Sequence, residues 1–276
     1  MTVREALRQA AARLETAGVP EAKLDAEYLL AELLQVDRLR LIADGDVQLT
    51  GAQLEMYEKW LARRERREPL QYILGTQPFM GCPLRVTPDV LIPRADTECL
   101  CKAALKAARE GMRILDLCTG SGALAVAIKT HCPGAEVYAS DLSADALRLA
   151  GENANRLGLR IRFCSGDLFA PFDGERFDLI VSNPPYIPRT ELPGLQKEVR
   201  YEPDMALDGG EDGLDFYRRI AAEAPAHLTP GGHLMLEIGS TQAQDVTRLL
   251  QNNGFTEIKT LPDLAGLDRV ITARII

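Results

Sequence analysis

Apolar residues recur at helical spacing through the first 68 residues of the chain. Pro20 opens a second apolar run that extends to Leu34, and a further helix is predicted from Thr50 to about Glu68. The arginines and glutamates of residues 63–68 are typical of a solvated helix face, and contact with a phosphate-bearing partner is the alternative. The pattern predicts a small N-terminal helical domain over residues 1–74.

The pattern changes at Gly75. Short apolar pieces are interrupted there by Pro78, Gly81, Pro83 and Pro88, which is typical of a hairpin and not of a continued helix. We therefore predict a hairpin linker over residues 75–92 that joins the helical domain to the rest of the chain.

Beyond the linker, apolar strands alternate with helical stretches over residues 93–276. Strands are predicted at residues 113–117, 136–139, 161–164, 177–182 and, after the turn at 230–232, 233–238, with helices beginning near Gly122 and Ser143. This rhythm predicts an α/β domain with a parallel sheet and right-handed crossovers. Residues 256–261 and 269–275 are predicted to add an antiparallel pair, which gives a mostly parallel, seven-stranded sheet.

Charge and composition exclude several classes of protein. The 32 basic and 40 acidic residues give a net charge of -8, which argues against broad attraction to nucleic acid or anionic membranes. No stretch approaches the roughly 18 apolar residues of a membrane span, and the first residues lack the apolar core of a signal peptide, so a cytoplasmic protein with no membrane partner is expected. The six cysteines form no CxxC pair, and a zinc site at Cys99 and Cys101 would lack two ligands, so free thiols and no metal are expected.

The first predicted strand runs into a glycine-containing loop just before a helix, where a ligand can approach the backbone closely. Asp141 ends the second strand, 19 positions after Gly122, and can accept bonds from ribose hydroxyls. That spacing also fits a nicotinamide dinucleotide. Asp116 separates the two cofactors, because its carboxylate would repel a pyrophosphate but suits the cationic amino and sulfonium groups of S-adenosylmethionine.

We therefore predict a site for S-adenosyl-L-methionine, with S-adenosyl-L-homocysteine as the product. Asp167 follows the third strand and is expected to accept from the adenine amino group, with Leu168 and Phe169 against the ring; an exposed turn carboxylate is the alternative. The predicted cofactor-binding residues are Asp116, Thr119, Gly120, Ser121, Gly122, Ala123, Asp141, Asp167, Leu168 and Asn183.

The fourth strand ends in Asn183, Pro184, Pro185 and Tyr186, the most informative tetrapeptide in the chain. Two successive prolines hold the backbone extended, so the Asn183 side-chain oxygen and the Pro184 carbonyl are expected to present acceptors beside the cofactor. This arrangement suits a planar NH2 group that must be oriented toward a methyl carbon, with Tyr186 stacked on it. We predict Asn183, Pro184 and Tyr186 as catalytic residues, and the whole tetrapeptide as substrate-binding.

At these residues the sequence resembles the class I S-adenosylmethionine-dependent methyltransferases, and among them the protein-glutamine methyltransferases that modify peptide chain release factors. The Asn-Pro-Pro-Tyr and glycine-loop motifs are shared with DNA amino-methyltransferases, whereas residues 67–98 and 201–210 are more specific to the release-factor enzymes. The resemblance covers residues 67–75, 90–98, 115–122, 183–186, 201–203, 206–210 and 237–239.

The resemblance implies a Rossmann-like methyltransferase domain and methylation of the side-chain amide nitrogen of the glutamine in the Gly-Gly-Gln loop of bacterial release factors. It also implies that the N-terminal domain helps to hold the release factor. Leu168 departs from the family pattern, in which an aromatic residue is common, so weaker stacking on adenine is expected. Residues 94–98 are expected either to begin a helix or to wall the cleft.

Two other functions remain open at this point. A DNA adenine amino-methyltransferase would use the same tetrapeptide on a flipped base, but the mildly acidic accessory region does not favour phosphate contacts. A noncatalytic ribosome- or release-factor-binding protein could keep the fold without the activity. We expect a monomer that makes no direct contact with nucleic acid.

Overall fold

Three of the five N-terminal helices begin at a residue whose side chain caps the helix. The computed structural model describes all 276 residues, and its first five helices are α1 (Val3–Thr16), α2 (Ala22–Leu34), α3 (Arg38–Ala43), α4 (Gly51–Glu65) and α5 (Leu70–Leu74). Thr2 caps α1 and Thr50 caps α4, each in a capping box. These helices belong to one unit, Met1–Thr76, which also contains Gln196–Tyr201.

The charged run at residues 63–68 is not a solvated helix face, so that expectation is wrong. Arg64 is only 4% exposed, and it donates to Asp25 at 2.8 Å and to Glu198 at 2.9 Å. Arg67 has a left-handed φ of 69°, beyond the end of α4, and its guanidinium also donates to Glu198, at 2.6 and 2.7 Å. The helix therefore ends three residues earlier than Glu68, and its last arginines lie in a partly buried ionic cluster.

The second unit, Gln77–Leu195 with Glu202–Ile276, contains the predicted sheet. A hairpin of β1 (Thr76–Phe79) and β2 (Cys82–Arg85) comes first along the chain. Seven strands follow in one sheet with the order β5-β4-β3-β6-β7-β9-β8, and only β9 runs antiparallel to its neighbours. They are β3 (Arg113–Leu117), β4 (Glu136–Asp141), β5 (Arg162–Ser165), β6 (Phe177–Ser182), β7 (Leu228–Glu237), β8 (Thr256–Pro262) and β9 (Asp268–Arg274).

Helices cover both faces of this sheet, because alternate strand residues belong to different cores. Ile114 of β3 packs in a cluster with residues of α6 and α7, whereas its neighbour Leu115 packs with residues of α9 and α10. The helices of this unit are α6 (Thr97–Ala107), α7 (Ala123–His131), α8 (Ala144–Arg156), α9 (Asp215–His227) and α10 (Ala243–Asn252). Short 3-10 turns occur at Ala170–Phe172, Leu192–Gly194, Val199–Tyr201 and Asp204–Ala206.

The predicted fold class is confirmed, with one local correction. The fifth strand of the sheet begins at Leu228, five residues before the predicted start, and includes the sequence Pro230, Gly231, Gly232. A shift in register against β6 between Phe177 and Leu179 accommodates these residues within the strand. All six cysteines are free thiols, of which Cys82 and Cys101 are buried. None of the helices has the length and apolar character needed to cross a bilayer.

Candidate active site

A cavity of about 340 Å³ lies at the carboxyl ends of the central strands. Residues that end or follow β3, β4, β5 and β6 line it, because parallel strands bring their carboxyl ends to one edge of the sheet. Four of these residues carry the predicted chemistry: Asp116, Asp141, Asp167 and Asn183.

Asp116 lies on β3 and is 1% exposed. Its Oδ2 accepts from the Thr119 hydroxyl at 2.6 Å and from the Ala125 amide at 3.1 Å, whereas its Oδ1 has no hydrogen-bond partner. Burial raises the pKa of Asp116 to about 7, and the two hydrogen bonds oppose that rise. A buried carboxylate oxygen without a partner at the cavity wall can take a cationic donor.

The loop between β3 and α7 contains residues in left-handed conformations and passes close to the helix α8. Cys118 has a φ of 58° although it is not glycine, and Gly120 has a φ of 54°. Gly122 is N-terminal to α7 with a φ of 83°, and a Cβ there would lie 3.0 Å from the Ala150 Cβ on α8. Thr119, Gly120, Ser121 and Ala123 line the cavity, whereas Gly122 faces the neighbouring helix.

The two outer carboxylates already have partners in the protein. Asp141 Oδ2 accepts from the Gly120 amide at 2.9 Å and its Oδ1 from the Ser143 amide at 2.9 Å, while burial raises its pKa. Asp167 accepts from Arg219 at 2.8 Å in a half-exposed ion pair. Because a carboxylate has about four lone-pair positions, each can still accept from a ligand.

Asn183 follows β6 and is held by a residue of α6. Its Nδ2 donates to Thr97 Oγ1 at 3.3 Å, and Thr97 is itself buried. The Thr97 hydroxyl also hydrogen-bonds to Glu237, the last residue of β7, which is 1% exposed. Burial raises the pKa of Glu237 to about 7, and its Oε2 has no hydrogen-bond partner. Nothing in the sequence pattern had linked these three residues.

The rest of the Asn-Pro-Pro-Tyr segment is packed from behind. Gln242 donates to the carbonyls of Tyr186 at 2.9 Å and Gly213 at 3.1 Å, and accepts from the Gly239 amide at 2.9 Å. A Cβ at Gly213 would lie 2.4 Å from the Tyr186 carbonyl oxygen, so only glycine fits there. Pro185 lines the cavity, whereas Pro184 and Tyr186 do not. Burial raises the pKa of Tyr186 to about 12, so its phenol stays neutral.

Residues 94–98 divide between a helix start and the cavity wall. The helix α6 begins at Thr97, which lines the cavity together with Pro93. Arg94 pairs with the buried Glu202, whose other oxygen accepts from the Ile92 amide at 3.0 Å. Sequence reasoning assigned no site role to Gln242 or Arg219, because their contacts with Tyr186 and Asp167 come from elements distant along the chain.

Comparison with known proteins identifies the family. Residues 5–75 match the PrmC N-terminal domain and residues 96–193 match the methyltransferase small domain. A release factor glutamine methyltransferase of Geobacter sulfurreducens is 47% identical over 99% of this chain and 97% of its own length. The chain belongs to the release factor glutamine methyltransferase family. Its relative in Moorella thermoacetica is 45% identical over 99% of this chain and 98% of its own length.

Solved structures of other methyltransferases share the fold of this release factor glutamine methyltransferase family member. A complex from E. cuniculi that methylates the translation termination factor eRF1 aligns with a TM-score of 0.51 and 23% identity, over 68% of this chain and 99% of that one. A 16S rRNA methyltransferase from T. thermophilus, solved with AdoMet and guanosine, aligns with a TM-score of 0.54 and 20% identity, over 73% of this chain and 50% of that one. These structures show the fold, and the release factor glutamine methyltransferase relatives show that the chain is an S-adenosylmethionine-dependent enzyme.

Proposed function

We propose that this enzyme transfers a methyl group from S-adenosyl-L-methionine to the side-chain amide nitrogen of the glutamine in the Gly-Gly-Gln motif of bacterial peptide chain release factors, and so modulates translation termination. The observation that carries the proposal is the likeness to release factor glutamine methyltransferases over 99% of the chain, which includes the N-terminal helices as well as the methyltransferase domain. The resemblance to DNA amino-methyltransferases covers only the methyltransferase domain.

The cavity residues fit the methyl donor, which supplies an electrophilic methyl group on a sulfonium when it is bound. Asp116 would hold the amino group through its unpartnered Oδ1, and Asp141 would accept from the ribose hydroxyls. Asp167 and Leu168 would face the adenine. The backbone of residues 119–123 would lie against the methionine part, because Gly120 lines the cavity in a left-handed conformation and carries no side chain.

At the reacting end, Asn183 Oδ1 and the Pro184 carbonyl would accept the two N–H groups of the substrate amide. An amide nitrogen is a weak nucleophile because its lone pair is delocalised, so orientation and stabilisation of the positive charge that develops on nitrogen provide the catalysis. Tyr186 would stack on the flat amide group. Pro185 completes the substrate contacts at the cavity wall.

The release factor is the proposed partner, and we propose that the helical domain of residues 1–74, joined through the hairpin linker of residues 75–92 to the catalytic domain of residues 93–276, helps to hold it. We further propose that the enzyme acts as a monomer, in the cytoplasm where release factors work on the ribosome, without direct contact with nucleic acid.

The test is incubation of the enzyme with isotopically labelled S-adenosylmethionine and an unmethylated release factor, followed by mapping of the methyl group by peptide mass spectrometry. We expect the label on the glutamine of the Gly-Gly-Gln motif. The Asn183→Ala variant should lose transfer while its affinity for S-adenosylmethionine stays within a few-fold of the wild type. Label on a DNA duplex run in parallel, and none on the release factor, would contradict the proposal.

A further inference from the structure

The side-chain amide of Asn183 can adopt two orientations that exchange its oxygen and nitrogen, and only one presents an acceptor to a substrate N–H. In the structure Nδ2 donates to Thr97 Oγ1 at 3.3 Å, which leaves Oδ1 for the cavity. We propose that Thr97 and Glu237 are positioning residues that together hold the Asn183 amide in this orientation. The inference rests on the proposed function, because it concerns how the same site presents its acceptor to the amide nitrogen.

Thr97 determines the orientation because its hydroxyl has a single proton. Where that proton is donated elsewhere, the hydroxyl oxygen can only accept, and the group facing it must be the NH2 end of the amide. Where the proton instead points at Asn183, the amide oxygen is the favoured partner and the NH2 end turns to the substrate. Thr97 is 5% exposed, so water does not readily replace either partner.

Glu237 provides the other end of this hydrogen-bond chain. An ionised carboxylate is only an acceptor, so the Thr97 proton points toward Glu237 and the hydroxyl lone pairs face Asn183 Nδ2. The carboxylate is buried, and because its Oε2 has no partner the hydrogen bond from Thr97 is hard to give up. Glu237 therefore acts on the substrate acceptor through Thr97, without itself touching the substrate.

The nearby cation does not take over the role of Thr97. Arg269 is held by Asp263 at 3.1 Å and Asp96 at 3.4 Å, and it donates to the Ile238 carbonyl at 3.2 Å. The groups that interact electrostatically with Glu237 are Arg94, Asp96, Cys99, Tyr186, Tyr217 and Arg269.

Protonation of Glu237 would reverse the chain of hydrogen bonds. A protonated carboxyl donates to Thr97, whose own proton then turns toward Asn183 and favours the opposite amide orientation. Burial places the pKa of Glu237 at about 7. With saturating S-adenosylmethionine and release factor, kcat should therefore fall as the pH is lowered through about 7.

The kinetic test compares two substitutions of one residue. Thr97→Val keeps the shape and removes the hydroxyl, so kcat should fall roughly 10- to 100-fold while the Kd for S-adenosylmethionine changes less than about 3-fold. Thr97→Ser keeps the hydroxyl and should restore most of kcat. Thr130→Val is the matched control, since Thr130 is an exposed residue whose hydroxyl bonds to the Val126 carbonyl within α7 and to the Cys82 thiol, away from Asn183, and its kcat should equal that of the wild type.

A second readout uses the protein without substrate. In protein labelled with 15N-asparagine, the side-chain NH2 signal of Asn183 is assigned by its loss in Asn183→Ala. One of its protons should move upfield in Thr97→Val, because its hydrogen bond is lost, and should keep its position in Thr97→Ser. Glu237→Gln should remove the fall of kcat below about pH 7, since the group that titrates is gone.

The proposal would be overturned by an unchanged kcat in Thr97→Val or by an equal loss of kcat in Thr97→Ser. It would also be overturned if the Asn183 side-chain NH2 signal kept its position in Thr97→Val. If Thr97→Val does not fold, the pH profile of Glu237→Gln decides, and a profile that matches the wild type would overturn it. Failure of the wild type to methylate a release factor would defeat the proposed function, while the NMR measurement would still decide the amide orientation.

Discussion

Replacing Asp116 with asparagine tests whether the buried carboxylate of β3 holds the cationic end of the methyl donor. The substitution is nearly isosteric. The asparagine oxygen can still accept from the Thr119 hydroxyl and the Ala125 amide, as Asp116 Oδ2 does at 2.6 and 3.1 Å. An NH2 group then stands where the unpartnered Oδ1 was, so a donor replaces the acceptor at the cavity wall.

The size of the effect follows from the lost contact. A hydrogen bond to a charged group contributes about 1.5 to 3 kcal/mol, which corresponds to a roughly 10- to 150-fold weaker affinity for S-adenosylmethionine. The affinity should also lose its dependence on pH between about 5.5 and 7. Because the pKa of Asp116 in the free protein is about 7 and a bound cation favours the carboxylate, wild-type affinity should rise between about pH 5.5 and 7, whereas that of Asp116→Asn should stay flat.

Isothermal titration calorimetry measures this directly, with two ligands. S-adenosylmethionine carries the amino group, whereas 5′-methylthioadenosine keeps the nucleoside and lacks the amino acid part. Asp116→Asn should bind the second ligand as the wild type does and bind the first more weakly. Equal affinity of both proteins for S-adenosylmethionine, or an equal loss for both ligands, would show that Asp116 does not contact the amino group.

Three further predictions concern stability. Gly122→Ala should cost about 1 to 3 kcal/mol in urea unfolding, because φ is 83° and the new Cβ lies 3.0 Å from Ala150; an unchanged midpoint would contradict the packing. Arg64→Met should cost about 3 to 5 kcal/mol, because the buried Asp25 loses its charge partner, and adding Asp25→Asn should recover part of the loss. In the folded state the pKa of Glu237 is about 7, whereas its ordinary value is 4.5. The free energy of unfolding of the wild type should therefore fall, relative to that of Glu237→Gln, as the pH rises from 4.5 to about 7. A constant difference between the two unfolding free energies across that range would refute it.

The sheet could be predicted from the sequence because its central strands are buried on both faces. Apolar runs such as β3 and β6 mark central parallel strands, and the predicted bounds of both match the observed ones. The start of β7 could not be predicted, because its first residues include Pro230 and two glycines that read as a turn. A shifted register against β6 and backbone hydrogen bonds of Gly231 and Gly232 with Ile275 keep them in the strand.

The part of the site that lies at the carboxyl ends of the strands could be predicted from the sequence. Asp116, Asp141 and Asn183 line one cavity because parallel strands bring them together. Local sequence gives no account of the hydrogen bond from Asn183 to Thr97 or of the one from Gln242 to Tyr186, which join residues 86 and 56 positions apart, respectively. The charged run of α4 shows the same limit, since Arg64 is buried by Asp25 and Glu198 and not by its neighbours in the helix.

The cavity contains acids but no histidine or lysine, and this composition suits transfer to a neutral amide. An amine substrate would arrive protonated at neutral pH and would need a base before it could attack, whereas an amide nitrogen carries no proton that must first be removed. Positive charge appears on the nitrogen only as the methyl group is transferred, so the proposed acceptor Asn183 Oδ1 would act mainly in the transition state. Correct orientation of that one amide matters more for such a reaction than the strength of any base.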